Sequence, residues 1–283
     1  MPVKVSRPVL RWHGGKWRLA PWIISQFPPH KFYTEVFGGA ASVLLRKPRA
    51  YAEVYNDLDG EIVNLFRVLQ SDRNSEKLIR QLNMTPFARR EFERSYRPTP
   101  HSVERARRLV VRSFMGFGSN AHTIGNRTGF RSFSNRSHTT PAHDWANYPE
   151  QLKVIIERLR GVVIENRPAI EVLGQHDHVE ALHYLDPPYL MSVRTDRSRD
   201  YNHEMNDDDH RELAAFVKTL KGMVIISGYP SPLYEELYHG WLRREKAAIA
   251  DGAKPRTEVL WISPNAERAR HSLFERSACS PAA

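Results

Sequence analysis

Asp186, Pro187, Pro188 and Tyr189 follow directly on the apolar run Ala181-Leu182-His183-Tyr184-Leu185. The run is short, apolar and closed by prolines, the pattern of a buried strand. Two prolines stop the strand and stiffen the turn after it. Such a turn holds a carboxylate, a backbone carbonyl and an aromatic ring at the C-terminal edge of a sheet, where open α/β sheets bind ligands. These groups suit a planar base carrying an exocyclic amine. The carboxylate and carbonyl accept its two N–H protons, and the tyrosine stacks on its face. Taken alone, the tetrapeptide fits equally well a strand-ending turn with a surface Asp.

A second group of residues suits a nucleoside-containing cofactor. Phe32-Tyr33-Thr34-Glu35-Val36-Phe37 has strand character and runs into Gly38-Gly39-Ala40-Ala41. The glycines allow close approach of backbone to a ligand, and a helix expected over Ser42-Val43-Leu44-Leu45 would offer free N–H groups. Asp57 closes the next strand, Ala50–Tyr55, at the place where a doubly wound fold sets an acid against a ribose. Upstream, Trp12 can stack on or shield such a cofactor, and Lys16 can pair with a carboxylate on it; a buried Trp and a solvated Lys in an N-terminal arm is the plainer reading.

Three other candidates carry less. His203-Glu204-Met205-Asn206-Asp207-Asp208-Asp209-His210 is rich in metal-ligand types. It lacks the HExxH spacing, and an acidic run before an apolar helix is better explained as a cap and first turn. Ser227-Gly228-Tyr229 is not a nucleophile elbow. Cys279, the single cysteine, excludes an intrachain disulfide and suits a reducing cytoplasm. The segment around Met1–Trp17 has no apolar signal core, so a cytoplasmic protein is expected. No run approaches the 18 apolar residues of a membrane span.

The elements that must position these residues alternate. Strands are expected at 32–37, 50–55, 162–164, 182–185, 223–226 and 258–262, with helices between them. Asp59 is placed to cap a helix whose Ile62, Val63, Leu65, Phe66 and Leu69 share a face. The alternation predicts an α/β fold with a mainly parallel, doubly wound sheet. Residues 71–147 break the rhythm. Their first half is helical in pattern, and their second half, from Gly116, is irregular, with hairpin signals at Gly125-Asn126 and Thr128-Gly129. They are read as an insertion into a domain made of residues 1–70 and 148–283.

Charge concentrates in that insertion. It holds thirteen Arg and one Lys against six Asp and Glu, which accounts for +8 of the chain's net +10. Arginine is the side chain suited to bidentate phosphate and guanine contacts. Double-stranded DNA is the expected polyanion, with Arg112, Asn120, Arg127 and Arg131 as candidate contacts. An Arg-rich solvated helical surface would give the same composition.

The ordered motifs Arg11-Trp12-His13-Gly14-Gly15-Lys16, Glu35-Val36-Phe37-Gly38-Gly39-Ala40-Ala41-Ser42, Asn56-Asp57-Leu58-Asp59 and Leu185-Asp186-Pro187-Pro188-Tyr189 resemble the Dam-type DNA adenine-N6 methyltransferases. The likeness covers about residues 8–70 and 150–265 and extends to Ser227-Gly228-Tyr229 and Glu258-Val259-Leu260-Trp261. It implies a Rossmann-like methyltransferase sheet, S-adenosylmethionine as cofactor and a target-recognition region before the Asp-Pro-Pro-Tyr turn. It implies that Trp12, Lys16, Asp57 and Asp186 contact the cofactor and that Phe37, Gly38 and Gly39 line its pocket. Asp186, Pro187 and Tyr189, with Pro188 in the same turn, would hold an adenine flipped from the duplex. No metal is called for, and a cognate restriction enzyme is a candidate partner. The insertion departs from the family's usual Asn-Arg-aromatic-Asn-Gly type segment. Here Val111-Arg112-Ser113-Phe114-Met115-Gly116-Phe117-Gly118 matches only in its glycines and an aromatic. Cytosine N4 is the nearest alternative target, since it too is an amine on a planar ring. A non-catalytic DNA-binding protein on the same scaffold is the alternative of a different class.

Overall fold

The computed structural model describes residues 4–118, 127–133, 140–193, 203–249 and 255–270. Within these, seven strands form one sheet: β1 (Phe32–Glu35), β2 (Ala52–Asn56), β3 (Val162–Glu165), β4 (Ala181–Leu185), β5 (Met223–Gly228), β6 (Leu242–Ile249) and β7 (Pro255–Ile262). Their order is β3-β2-β1-β4-β5-β7-β6. The pairs among β1 to β5 are parallel, and β7 runs antiparallel to β5 and β6. The sheet is doubly wound. Its chain order turns back between β1 and β4, which is the switch point of such folds.

Both faces of the sheet are covered, and strand side chains alternate between them. On one face Tyr33, Tyr55, Leu182, Tyr184, Ile225 and Leu260 join the helices Gly60–Gln70, Ser102–Met115 and Tyr148–Leu159 in one core. On the other, Val36, Val54, Leu185, Ile226 and Trp261 pack with the helices Ala169–Gln175, Asp207–Val217 and Pro232–Leu237. Double coverage explains why β4 and β5 are continuous apolar runs. A buried ion cluster ties the first layer down. Glu53 of β2 receives Lys47 at 2.7 Å and Arg158 of the helix Tyr148–Leu159 at 2.6 Å.

Asp59 caps the helix Gly60–Gln70 by accepting from Glu61 N at 2.8 Å, and Ile62, Val63, Leu65, Phe66 and Leu69 are all buried. The acidic run also opens a helix, with Asn206 as the cap in a reciprocal box with Asp209. Two expectations need correction. Residues 39–46 are consecutive turns rather than a helix. Gly39 and Ala41 have φ of +46° and +52°, so the chain enters this stretch in left-handed turns and a right-handed helix cannot begin before Ser42. Strand β6 escaped the sequence reading because Arg243, Arg244, Glu245 and Lys246 give it the charged composition of an edge. In the helical half of 71–147, the buried face of Ser102–Met115 lies in the same core as the sheet. Of the hairpin signals, Gly125-Asn126 lies outside the described residues. Beside Thr128-Gly129 the chain forms an antiparallel bridge, Gly116 to Phe130, supported by Phe117 N donating to Gly129 O.

Candidate active site

A cleft opens at the C-terminal ends of β1, β2 and β4, at the switch point. Trp12, Lys16, Phe37, Gly38, Gly39, Asp57, Asp186 and Pro188 line it, as do His203, Glu204 and Met205. Residues up to 193 positions apart in sequence thus meet at one sheet edge. Pro187 and Tyr189 are buried behind the wall.

The end of β2 holds the glycine turn in place. Asp57 Oδ2 accepts from Gly39 N at 2.8 Å, and its Oδ1 accepts from Asp59 N at 2.8 Å. The Tyr55 hydroxyl donates to Gly39 O at 2.7 Å. Only glycine fits at two positions here. A Cβ on Gly38 would lie 2.1 Å from the Tyr55 ring, and one on Gly39 would lie 2.7 Å from Trp12 Nε1. Burial pushes the Asp57 carboxyl up to about 6, although its two backbone donors pull the other way.

The catalytic turn is built around a buried cation. Lys16 Nζ lies 2.9 Å from Asp186 Oδ1, 3.8 Å from Glu258 Oε1 and 2.9 Å from Gly14 O. It also sits 4.7 Å from the centroid of the Tyr189 ring. Ser227 Oγ donates to the same Asp186 Oδ1 at 2.8 Å. Both contacts fall on Oδ1, and Oδ2 takes none among the described residues. The Tyr189 hydroxyl donates to Glu258 Oε1, and Tyr229 meets the Tyr189 ring edge-on at 4.6 Å. Tyr189 is therefore 8% exposed and offers no open stacking face in this structure, contrary to expectation. Its hydroxyl and one ring face are committed to Glu258 and Lys16.

The sequence model of the D12 class N6 adenine-specific DNA methyltransferases matches residues 12–249. The chain belongs to this family. It is an adenine-specific DNA methyltransferase on the doubly wound sheet that its motifs led one to expect. No curated protein matches it individually. No helix among the described residues is long and apolar enough to cross a membrane.

Some methyltransferase residues drew no role from sequence. Glu35, at the end of β1, is 3% exposed and accepts from Tyr33 Oη at 2.6 Å and from Leu44 N at 2.9 Å. Burial pushes its carboxyl up to about 8, so it is protonated at neutral pH. In the unfolded chain it titrates near 4.3. Between those values the folded protein binds the extra proton, so stability falls as pH rises. Glu35→Gln mimics the protonated acid and removes that dependence. Its stability advantage over wild type should grow with pH by at most about 1.4 kcal/mol per unit up to about 8, then level off. Urea unfolding from pH 5 to 9 reads this, and a gap that shrinks as pH rises would show Glu35 ionised in the fold.

The expected DNA contacts separate. Arg112 is 1% exposed; it donates to Ser95 O at 2.5 Å and lies 3.5 Å from Glu61 Oε2. It is a core residue and no DNA contact. Its neighbours on the helix Ser102–Met115 are also paired, Arg105 with Glu61 and Arg107 and Arg108 with Glu104. Part of the insertion's positive charge is thus neutralised inside the protein. Arg127 is exposed, with its guanidinium 5.5 Å from the Tyr96 ring, and Arg131 is half-buried. Asn120 lies outside the described residues.

Proposed function

We propose that the enzyme binds S-adenosylmethionine in the cleft and methylates N6 of an adenine flipped from duplex DNA against Asp186. The observation that carries this reading is the Asp186 carboxylate, anchored through Oδ1 by Lys16 and Ser227 beside the switch-point cleft. The cleft's chemistry fits a cationic nucleoside. Trp12 and Phe37 supply apolar faces, and Asp57, Asp59, Asp186 and Glu204 supply carboxylates for ribose hydroxyls and a positive charge. Each Asp57 oxygen holds one backbone donor and keeps a lone pair for a hydroxyl.

When bound, S-adenosylmethionine supplies an electrophilic methyl group. The chain supplies position and charge. Asp186 Oδ2 and the Pro187 carbonyl accept the two N–H protons of the amine, which favours a pyramidal nitrogen with an available lone pair. Asp186 Oδ2 then takes the proton that N6 sheds. Holding the reacting groups in line removes most of the entropic part of the barrier, and the fixed charge of Asp186 needs no reorganisation.

Titration calorimetry tests cofactor binding. Wild type should bind S-adenosylmethionine, and Asp57→Ala should bind it at least about tenfold more weakly, the loss of a charged hydrogen bond. The variant also frees Gly39 N, so its melting temperature should fall. Equal affinity would leave Asp57 a turn residue only.

DNA approaches, on this reading, by the irregular half of the insertion. Removing the charge of Arg127 and Arg131 together should reduce the salt dependence of DNA affinity by up to about two phosphate contacts, a slope change of roughly 1.8. Cofactor affinity should not change. Fluorescence anisotropy at several salt concentrations measures it, and an unchanged slope would place DNA elsewhere.

A further inference from the structure

Strand β7 brings to the catalytic edge a carboxylate that the reaction as described does not use. β7 runs against the parallel strands, so its N-terminal half reaches their C-terminal edge. Val259 pairs with Gly228, which sets Glu258 beside Tyr229 and the Asp186 turn. Glu258 is 3% exposed and lies outside the matched residues 12–249. Its Oε1 accepts the Tyr189 hydroxyl and lies 3.8 Å from Lys16 Nζ. Two carboxylates, Asp186 and Glu258, therefore share one ammonium in a low-dielectric site.

We propose that Glu258 is a positioning residue for methyl transfer: from 3.8 Å its charge shares the Lys16 ammonium that contacts Asp186 at 2.9 Å, so that Asp186 is not fully neutralised and keeps its strength as an acceptor for the amine. With Glu258 neutral, the pull on Lys16 from that side is lost, and Lys16 neutralises Asp186 more fully. The effect grows with burial because the dielectric around the three groups is low. Burial pushes the Glu258 carboxyl upward, with Lys16 opposing and Asp186 reinforcing. The Tyr189 hydroxyl, a second attachment, keeps the turn against β7. The inference rests on the reading of Asp186 as the amine's acceptor.

Two variants separate charge from shape. Glu258→Gln keeps an acceptor for Tyr189 and removes the charge, whereas Glu258→Asp keeps the charge and shortens the side chain. Melting temperatures are taken first. Then kcat, the KM for duplex DNA and the calorimetric affinity for S-adenosylmethionine are measured on wild type and both variants. Glu258→Gln should lose about tenfold to a hundredfold in kcat, less than the roughly 10²–10³ of a group that contacts the transition state directly. KM and cofactor affinity should hold, because the lost interaction belongs to the transition state. Glu258→Asp should recover part of that loss. A folded Glu258→Gln with wild-type kcat overturns the inference, as does one that outperforms Glu258→Asp. An unfolded Glu258→Gln overturns it too, because the role is then structural. Wild-type protein that transfers no methyl group to adenine would instead overturn the reading of the site.

Discussion

Asp186→Ala should abolish methylation while the protein stays folded. Asp186 keeps an oxygen for substrate: its Oδ1 is held by Lys16 at 2.9 Å and Ser227 at 2.8 Å, and its Oδ2 takes no contact among the described residues. Removing one preorganised charged contact costs about 10²–10³ in rate, and here the same group also receives a proton. The fold should tolerate the change because Lys16 keeps Glu258 and Gly14 as partners. Single-turnover transfer of a labelled methyl group to DNA measures the loss. Turnover within tenfold of wild type would remove Asp186 from the chemistry.

Lys16→Met should damage both stability and activity. Lys16 is buried, and it stands between two carboxylates. Deleting the cation leaves the carboxylates of Asp186 and Glu258 to repel each other in a buried site. Breaking a buried pair from one side costs about 3–5 kcal/mol. Methyl transfer should fall by about a hundredfold or more as well, because Asp186 loses the contact that orients it. Urea unfolding and single-turnover transfer read the two effects separately. A variant with wild-type stability would mean that Lys16 is solvated in solution and pairs with neither carboxylate.

The strands were legible because both faces of the sheet are covered. Leu182, Tyr184 and Leu185 must all be apolar when helices pack above and below β4. β6 was not, because the charged residues of an edge strand hide the period-two signal. The glycine turn announced itself through Gly38 and Gly39. The turns that replace the expected helix did not, since nothing in Ala41-Ser42-Val43 signals a left-handed alanine. Eight cleft residues, from Trp12 to Pro188, could be gathered from the order of the motifs; His203, Glu204 and Met205 could not, because their stretch reads as a helix cap. Their pairings could not: Lys16 meets Asp186 and Glu258 across 170 and 242 positions, and such contacts are set by topology. Composition also misled. Thirteen arginines in 71–147 suggested a surface for DNA, but counting charge does not show which arginines are paired inside. The spacing of Glu104 with Arg107 and Arg108, three and four residues apart on one helix, was the available signal.

The central claim is transfer of a methyl group from S-adenosylmethionine to the N6 amine of adenine in duplex DNA. Its most direct test is mass spectrometry of the nucleosides digested from duplex DNA incubated with the protein and methyl-deuterated S-adenosylmethionine, without added metal. The account predicts deuterated N6-methyladenine, absent with Asp186→Ala. Label found only in N4-methylcytosine, or in no nucleoside at all, would contradict it.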